Sequence, residues 1–265
     1  MPSEPAANLI DTHCHLAHGR LRQEVPQVLA RARNAGVEAV ICAATDLHGS
    51  GTALSLSREH ENVFCTAGIH PHEAKDAGDD YPARIERLAR EGRCVAVGET
   101  GLDYHYDFSP RDVQQHVFAE QLAVAARIGK PVVVHTREAF DDTLAIVRES
   151  DADGSRILFH SFTGGPDEIR RALQIGATIG FSGIVTFRKA QELRRAAAIV
   201  PDDRIVVETD APYLSPEPVR KMKTNEPANV VHIARCLAQV RNSSPEAFAG
   251  RTTANAIRFF GLELF

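Results

Sequence analysis

The chain has 265 residues and a formal net charge of −5, so it offers no broad basic field, and any contact with a polyanion has to be local. Apolar residues make up 43% and charged residues 25%, a balance that supplies a large buried core and excludes an extended disordered chain. No apolar run approaches the roughly 20 residues needed to cross a bilayer. Met1-Pro2-Ser3-Glu4-Pro5 has neither the basic start nor the apolar stretch of a secretory signal, which makes a cytoplasmic protein the expectation.

Strand-like and helix-like runs alternate along the chain. Residues 9–15 read as a strand, where residues two apart share a face, so His13 and His15 project together and Cys14 points away. Val25, Leu29 and Ala32 follow at helical spacing, closed at Asn34-Ala35-Gly36. Residues 37–43 are a compact β-branched run, Asp46 caps a helical stretch to about residue 61, and residues 63–69 form a third strand. Residues 81–91 are amphipathic, with Ile85, Leu88 and Ala89 on one stripe. A short fourth strand, 94–98, delivers Glu99-Thr100-Gly101-Leu102-Asp103-Tyr104. Ser109 is expected to cap a long helix with Pro110 at its first position, and Gly129 to end it. Strands at 131–135, 157–160, 177–182 and 205–210 alternate with helices at 138–149, 167–174 and 187–199, and two helices, 227–241 and 245–260, close the chain.

Eight short apolar strands, each followed by helical pattern, predict an α/β fold, a single (β/α)8 TIM barrel spanning residues 1–265 as one domain. A doubly wound open sheet is the alternative, but no glycine-rich dinucleotide fingerprint follows the first strand. The five cysteines, Cys14, Cys42, Cys65, Cys94 and Cys236, show no C-x-x-C spacing, and four fall in apparent strands, as reduced buried thiols do.

His13 and His15 end the first strand, His70 follows the third, Glu99 the fourth, His135 ends the fifth, His160 the sixth and Asp210 the eighth. In a parallel barrel all strand C-termini open on one face, so these residues converge although nearly two hundred positions separate them. A strand-end histidine is usually a satisfied core residue; so many at successive strand ends favour a metal site instead. The donors are nitrogen and oxygen without thiolate, which suits zinc, manganese or magnesium in a hydrolytic centre.

His13-x-His15, Gly68-Ile69-His70-Pro71-His72, Val97-Gly98-Glu99-Thr100-Gly101-Leu102-Asp103-Tyr104, His160-Ser161-Phe162-Thr163-Gly164 and Glu208-Thr209-Asp210-Ala211-Pro212-Tyr213-Leu214 together resemble the motifs of the TatD family of metal-dependent deoxyribonucleases, in order and over essentially the whole chain. The resemblance implies a TIM barrel with two divalent metal ions that hydrolyses DNA phosphodiester bonds. It implies one metal on His13, His15, Glu99 and Asp210 and a second on Glu99, His135 and His160, with Glu99 bridging. Ser161 stands where the family commonly has cysteine, and Lys221-Met222-Lys223 where it usually has Arg-Gly-Lys, which bears on substrate preference more than on catalysis.

Several roles stay open at this level. Asp210 is either a proton-accepting general base or a ligand only. His70 either contacts phosphate or a third metal, or shapes the loop before Pro71. Arg137 either grips phosphate or begins the next helix at the surface. Tyr104 either stacks on a base or packs the loop. Three functions compete: a DNase trimming single-stranded or frayed 3′ ends from 3′ to 5′, an amidohydrolase-type barrel acting on a small ester, lactone or cyclic amide, and a non-enzymatic quality-control partner. The last should have lost ligands, whereas this chain retains them all. A monomer acting on DNA, away from membranes, is the expected form.

Overall fold

The structure, a computed structural model, describes residues 8–264; the Met1-Pro2-Ser3-Glu4-Pro5 segment lies outside the described residues. Eight strands, β1 (Leu9–Cys14), β2 (Val37–Cys42), β3 (Val63–Ala67), β4 (Cys94–Asp103), β5 (Val132–Arg137), β6 (Ile157–Phe159), β7 (Thr178–Phe181) and β8 (Ile205–Val207), form one sheet in chain order. Every neighbouring pair is parallel. Between the strands run α1 (Val25–Asn34), α2 (Leu47–Glu59), α3 (Tyr81–Ala89), α4 (Arg111–Ile128), α5 (Phe140–Glu149), α6 (Pro166–Gln174) and α7 (Gln191–Ala198), and α8 (Val230–Val240) and α9 (Pro245–Phe260) follow the last strand. This is the expected (β/α)8 barrel. Among the described residues no helix is long and apolar enough to cross a membrane.

Strand alternation separates two apolar layers. Val133, Leu158 and Val206 join Ile10, Ile41 and Phe64 in a cluster that Ala256 and Phe260 of α9 close from below, the barrel interior. Their chain neighbours Val132, Val134, Ile157, Phe159, Ile205 and Val207 belong to the outer layer shared with the helices. Two residues further along the same inward face, β5, β6 and β8 lead to His135, His160 and Glu208.

Two strands depart from simple alternation, and both departures serve the site. Counted strictly from Ile10, Cys14 would turn inward. Instead the β1–β2 register slips between Asp11↔Val40 and Cys14↔Cys42, and Cys14 packs in the outer layer. The slip frees His13 and His15 to face the interior. Strand β4 runs five residues past its expected end at Gly98, because Gly101 pairs with His135 and Asp103 with Arg137 on β5. Gly101 has φ +135°, and a Cβ there would lie 2.0 Å from the His135 carbonyl oxygen. Gly101→Ala is therefore expected to cost about 3 kcal/mol or more, read as a lowered urea midpoint with an unchanged slope.

The last seam of the barrel is narrow. The His15 N–H donates to Ala211 O at 2.7 Å, and the Asp210 N–H donates to His13 O at 2.9 Å. The Thr12 hydroxyl adds a bond to Val207 O at 3.1 Å. Strand β8 stops at Val207, and Asp210 sits beyond it with φ +55°.

Two helix ends follow the chemistry expected of them and one does not. The Asp46 side chain accepts from Gly49 N–H at the start of α2, and Gly129 in the left-handed region ends α4. Ser109, however, does not cap α4. Pro110 takes the cap position, and the Ser109 hydroxyl instead donates to His72 O at 2.9 Å, tying the β4–α4 loop to the loop after β3.

Candidate metal centre

A cavity of about 900 Å³ opens on the face where the strands end, lined by His15, His70, Glu99, His135, His160 and Asp210 among others. His13 lies at its floor, fully buried. Glu99, 2% exposed, is at the centre, and its two oxygens face different partners. Oε2 lies 3.2 Å from His13 Nε2 and 3.7 Å from His15 Nε2; Oε1 lies 2.8 Å from His160 Nε2, 3.0 Å from His135 Nδ1 and 3.4 Å from His70 Nε2. Asp210 Oδ1 completes the first group, 3.4 Å from His15 Nε2 and 4.0 Å from His13 Nε2.

Donors bound to one ion at about 2.0–2.2 Å lie roughly 3–3.5 Å apart, and most of these separations match that spacing. Triads of suitable donors close on themselves in three combinations, His13–His15–Glu99, His13–His160–Asp210 and His70–Glu99–His135. The rings of His13 and His160 stack with centroids 3.9 Å apart, so the two groups share a wall rather than standing separate.

The outer nitrogens of the rings decide which inner ones are free to bind. His15 Nδ1 lies 3.2 Å from the Ala43 carbonyl and His135 Nε2 3.1 Å from Asp103 Oδ2, partners that can only accept. His160 Nδ1 faces Glu208 Oε1 at 3.3 Å. Protons held on these outer atoms leave His15 Nε2, His135 Nδ1 and His160 Nε2 as lone-pair donors aimed at Glu99 and its neighbours, the arrangement that orients metal-ligating imidazoles. The donor set therefore fits divalent metal.

His70 differs. Its Nδ1 accepts the His72 N–H at 3.1 Å, so the proton of the neutral ring sits on Nε2, toward Glu99. Burial, with His135 and His72 nearby, lowers its pKa to about 4 in spite of Glu99, so the ring is neutral at ordinary pH. A neutral N–H facing the cavity suits donation to an anionic group better than ligation.

The histidines that face carboxylates on both sides carry protons further up the pH scale. Burial works to lower the pKa of His160, but Glu99 and Glu208 outweigh it and raise it well above 6.5. For His135, Asp103 and Glu99 likewise overcome burial and raise it above 6.5. Burial would raise Glu99, but His160, His70 and His13 hold it well below the usual carboxylate range. A cation entering the metal-free centre must displace the imidazole protons, so affinity climbs with pH for as long as His135 and His160 hold theirs, which their raised pKa values extend above 6.5, and levels off once they are lost. Calorimetric titration is expected to show proton release and a gain of about tenfold in affinity per pH unit for each proton displaced. An affinity flat between pH 6 and 8 would contradict this.

Asp103 and Glu208 are the supporting carboxylates that sequence reasoning left without a role. Asp103, 1% exposed, takes His72 Nε2 at 2.9 Å and His135 Nε2 at 3.1 Å on Oδ2, and the His105 and Tyr106 N–H groups at 3.0 and 3.1 Å on Oδ1. Glu208 is fully buried and accepts from the Ser161 N–H besides facing His160. Strand parity with Asp210 could have pointed to Glu208. Nothing in the spacing pointed to Asp103, because the extension of β4 was not visible.

The expected substrate contacts separate. Arg137 is the last residue of β5, not the start of a helix, and it lines the cavity. Tyr104 is not brought to the cavity: its hydroxyl donates to Asp142 Oδ2 at 2.8 Å and accepts from Gln115, and the Arg111 guanidinium covers its ring. Tyr106 stands at the cavity in its place. Lys221, Met222 and Lys223 form an exposed turn outside the cavity lining.

Comparison with known proteins gives consistent matches. The family model described as TatD related DNase matches residues 10–261. The metal-dependent hydrolase YcfH of Escherichia coli K12, itself uncharacterized, is 41% identical over 258 residues, 96% of each chain. The 3′-5′ ssDNA/RNA exonuclease TatD of Edwardsiella piscicida is 39% identical, over 96% of this chain and 100% of that one. Among solved structures, the TatD homolog YJJV of Escherichia coli K12 superposes with a TM-score of 0.92 at 27% identity, covering 97% of this chain and 100% of that chain.

Proposed function

The chain belongs to the TatD family and is a metal-dependent hydrolase, and from that premise we propose that it is a deoxyribonuclease, removing nucleotides from single-stranded or frayed 3′ ends with two divalent ions. One observation carries the reading: the Glu99 carboxylate presents Oε2 to one group of donors and Oε1 to another, the geometry a bridging ligand requires. In this proposal His13, His15, Glu99 and Asp210 hold one ion and Glu99, His135 and His160 the other, within a single domain of residues 1–265 acting as a cytoplasmic monomer.

Divalent metal supplies Lewis acidity and a water acidified toward neutral pH. The protein's own groups do the rest. Asp210, held at the mouth of the first group, would accept the proton of the attacking water as that water's oxygen bonds to phosphorus and the P–O bond to the remaining strand breaks, the leaving oxygen taking a proton from solvent. Neutral His70 donates Nε2–H to a phosphoryl oxygen, and Arg137 at the rim offers a charged donor to the same phosphate. The exonuclease named among the relatives supports nucleic acid as the substrate, and the acidic chain, with only a local cation at the rim, favours a strand end over a long duplex.

The test is a digest of 5′- and 3′-labelled single-stranded and duplex oligonucleotides with magnesium, manganese or zinc. Stepwise shortening of the 5′-labelled single strand is expected. Intact oligonucleotides under every metal, alongside turnover of a lactone or ester, would overturn the nuclease assignment and leave the hydrolase standing.

A further inference from the structure

Large exposed aromatic side chains concentrate at the mouth of the cavity. Tyr106 is 47% exposed and Phe108 55% exposed, on the loop between β4 and α4, and their rings stack with centroids 5.3 Å apart and planes 20° from parallel. Exposed aromatic surface of this kind is costly to leave in water and marks contact sites. The Arg137 guanidinium lies 4.7 Å from the centre of the Tyr106 ring. Among the described residues no carboxylate pairs with Arg137, so its charge is held in place by the ring and left free for an anion.

The pair is tied to the centre rather than hung on a loose loop. The Tyr106 N–H donates to Asp103 Oδ1, whose other oxygen takes His135. The His72 ring meets Tyr106 edge-on at 5.5 Å and Phe108 at 4.8 Å. Arg137 stands two residues after His135 on one strand, so both side chains leave the same face.

Resting on the nuclease reading, we infer that Tyr106 and Phe108 form a stacking platform for one base of a single-stranded nucleic acid, whose adjoining phosphate Arg137 receives. A paired base has both faces covered by its neighbours in the duplex, whereas an unpaired one exposes a free ring face. The platform thus selects unpaired ends, and it does so without reading sequence, since every base has such a face.

The experiment compares wild-type protein with Phe108→Ala, Tyr106→Leu and Phe108→Trp. The substrates are single-stranded DNA, single-stranded RNA, the same strands carrying one abasic position near the 3′ end, and the small diester bis(p-nitrophenyl) phosphate. Binding is followed in metal-free protein by quenching of a 2-aminopurine placed near the 3′ end, a readout that does not depend on cleavage. Phe108→Ala is expected to raise the oligonucleotide KM about tenfold, with kcat little altered, and to lower the ratio of oligonucleotide to small-diester kcat/KM by about the same factor. Quenching should fade in Phe108→Ala and return in Phe108→Trp. At one position the abasic substrate should cost the wild type about tenfold and Phe108→Ala almost nothing. Unaltered KM and quenching in Phe108→Ala and Tyr106→Leu would overturn the platform while leaving the nuclease intact. Turnover of the small diester by a wild type that neither binds nor cleaves either strand would overturn both.

Discussion

Replacing Glu99 with glutamine is expected to reduce hydrolysis by at least about 10³-fold and to weaken both metal sites together. Glutamine keeps the volume, so the nearly closed pocket around residue 99 stays filled. It loses the charge that every histidine of the centre faces, and one of its two heads becomes an NH₂ that cannot ligate. Whichever way the amide turns, either the His13–His15 side or the His135–His160 side meets a donor instead of an acceptor. His13→Ala should behave differently, emptying chiefly the group it shares with His15 and Asp210 and leaving the other partly occupied. Metal counting by atomic emission, beside kcat on a labelled strand, separates the two variants. Equal loss of both metals in His13→Ala would contradict the division of ligands. So would retention of two metals in Glu99→Gln.

Asp103→Asn is expected to lower metal affinity and turnover about 10–100-fold, although residue 103 touches neither metal nor substrate in this reading. The amide oxygen can still receive the His105 and Tyr106 N–H groups, so the loop holds. Its NH₂ then meets the Nε2–H of His72 and of His135, donor against donor. His135 escapes by moving its proton to Nδ1, which removes the lone pair aimed at Glu99. Asp103→Ala removes all four bonds and should add a stability cost of about 2–4 kcal/mol. A structural role alone would lower stability in both variants and leave metal affinity per folded molecule unchanged. Calorimetry of metal binding on the folded fraction distinguishes the cases.

Much of this was legible because the barrel writes its chemistry at strand ends. Short apolar runs followed by amphipathic ones set the order of elements, and His135 falls within β5 as expected, whereas His160 and Asp210 lie just past the ends of β6 and β8 instead of closing those strands. Asp46 and Gly129 announced their helix ends through side-chain capping and a left-handed turn. What stayed hidden depends on contacts remote in sequence. The apolar run ends the fourth strand at Gly98, yet pairing with β5 keeps the chain extended to Asp103. The unseen extension explains why Tyr104 was the residue expected at the site and Tyr106 the one found there. The slip in β1 is equally invisible, since only its register against β2 reveals it. Ser109 shows the limit of a motif: Ser-Pro marked where α4 starts, but the hydroxyl is spent on His72.

The narrow seam between β1 and the end of β8 has a consequence for how the protein comes into being. Its closing bonds run through the backbones of His13, His15 and Asp210, the same residues whose side chains form the first group of donors. Closure of the barrel and assembly of that group are one event. During synthesis, which delivers the N-terminal end first, His13 and His15 wait for nearly two hundred residues before Asp210 and Ala211 emerge, although Glu99 is delivered earlier. A nascent chain therefore carries no complete catalytic centre until residue 211 is free to pair, and activity is withheld until the fold is almost finished.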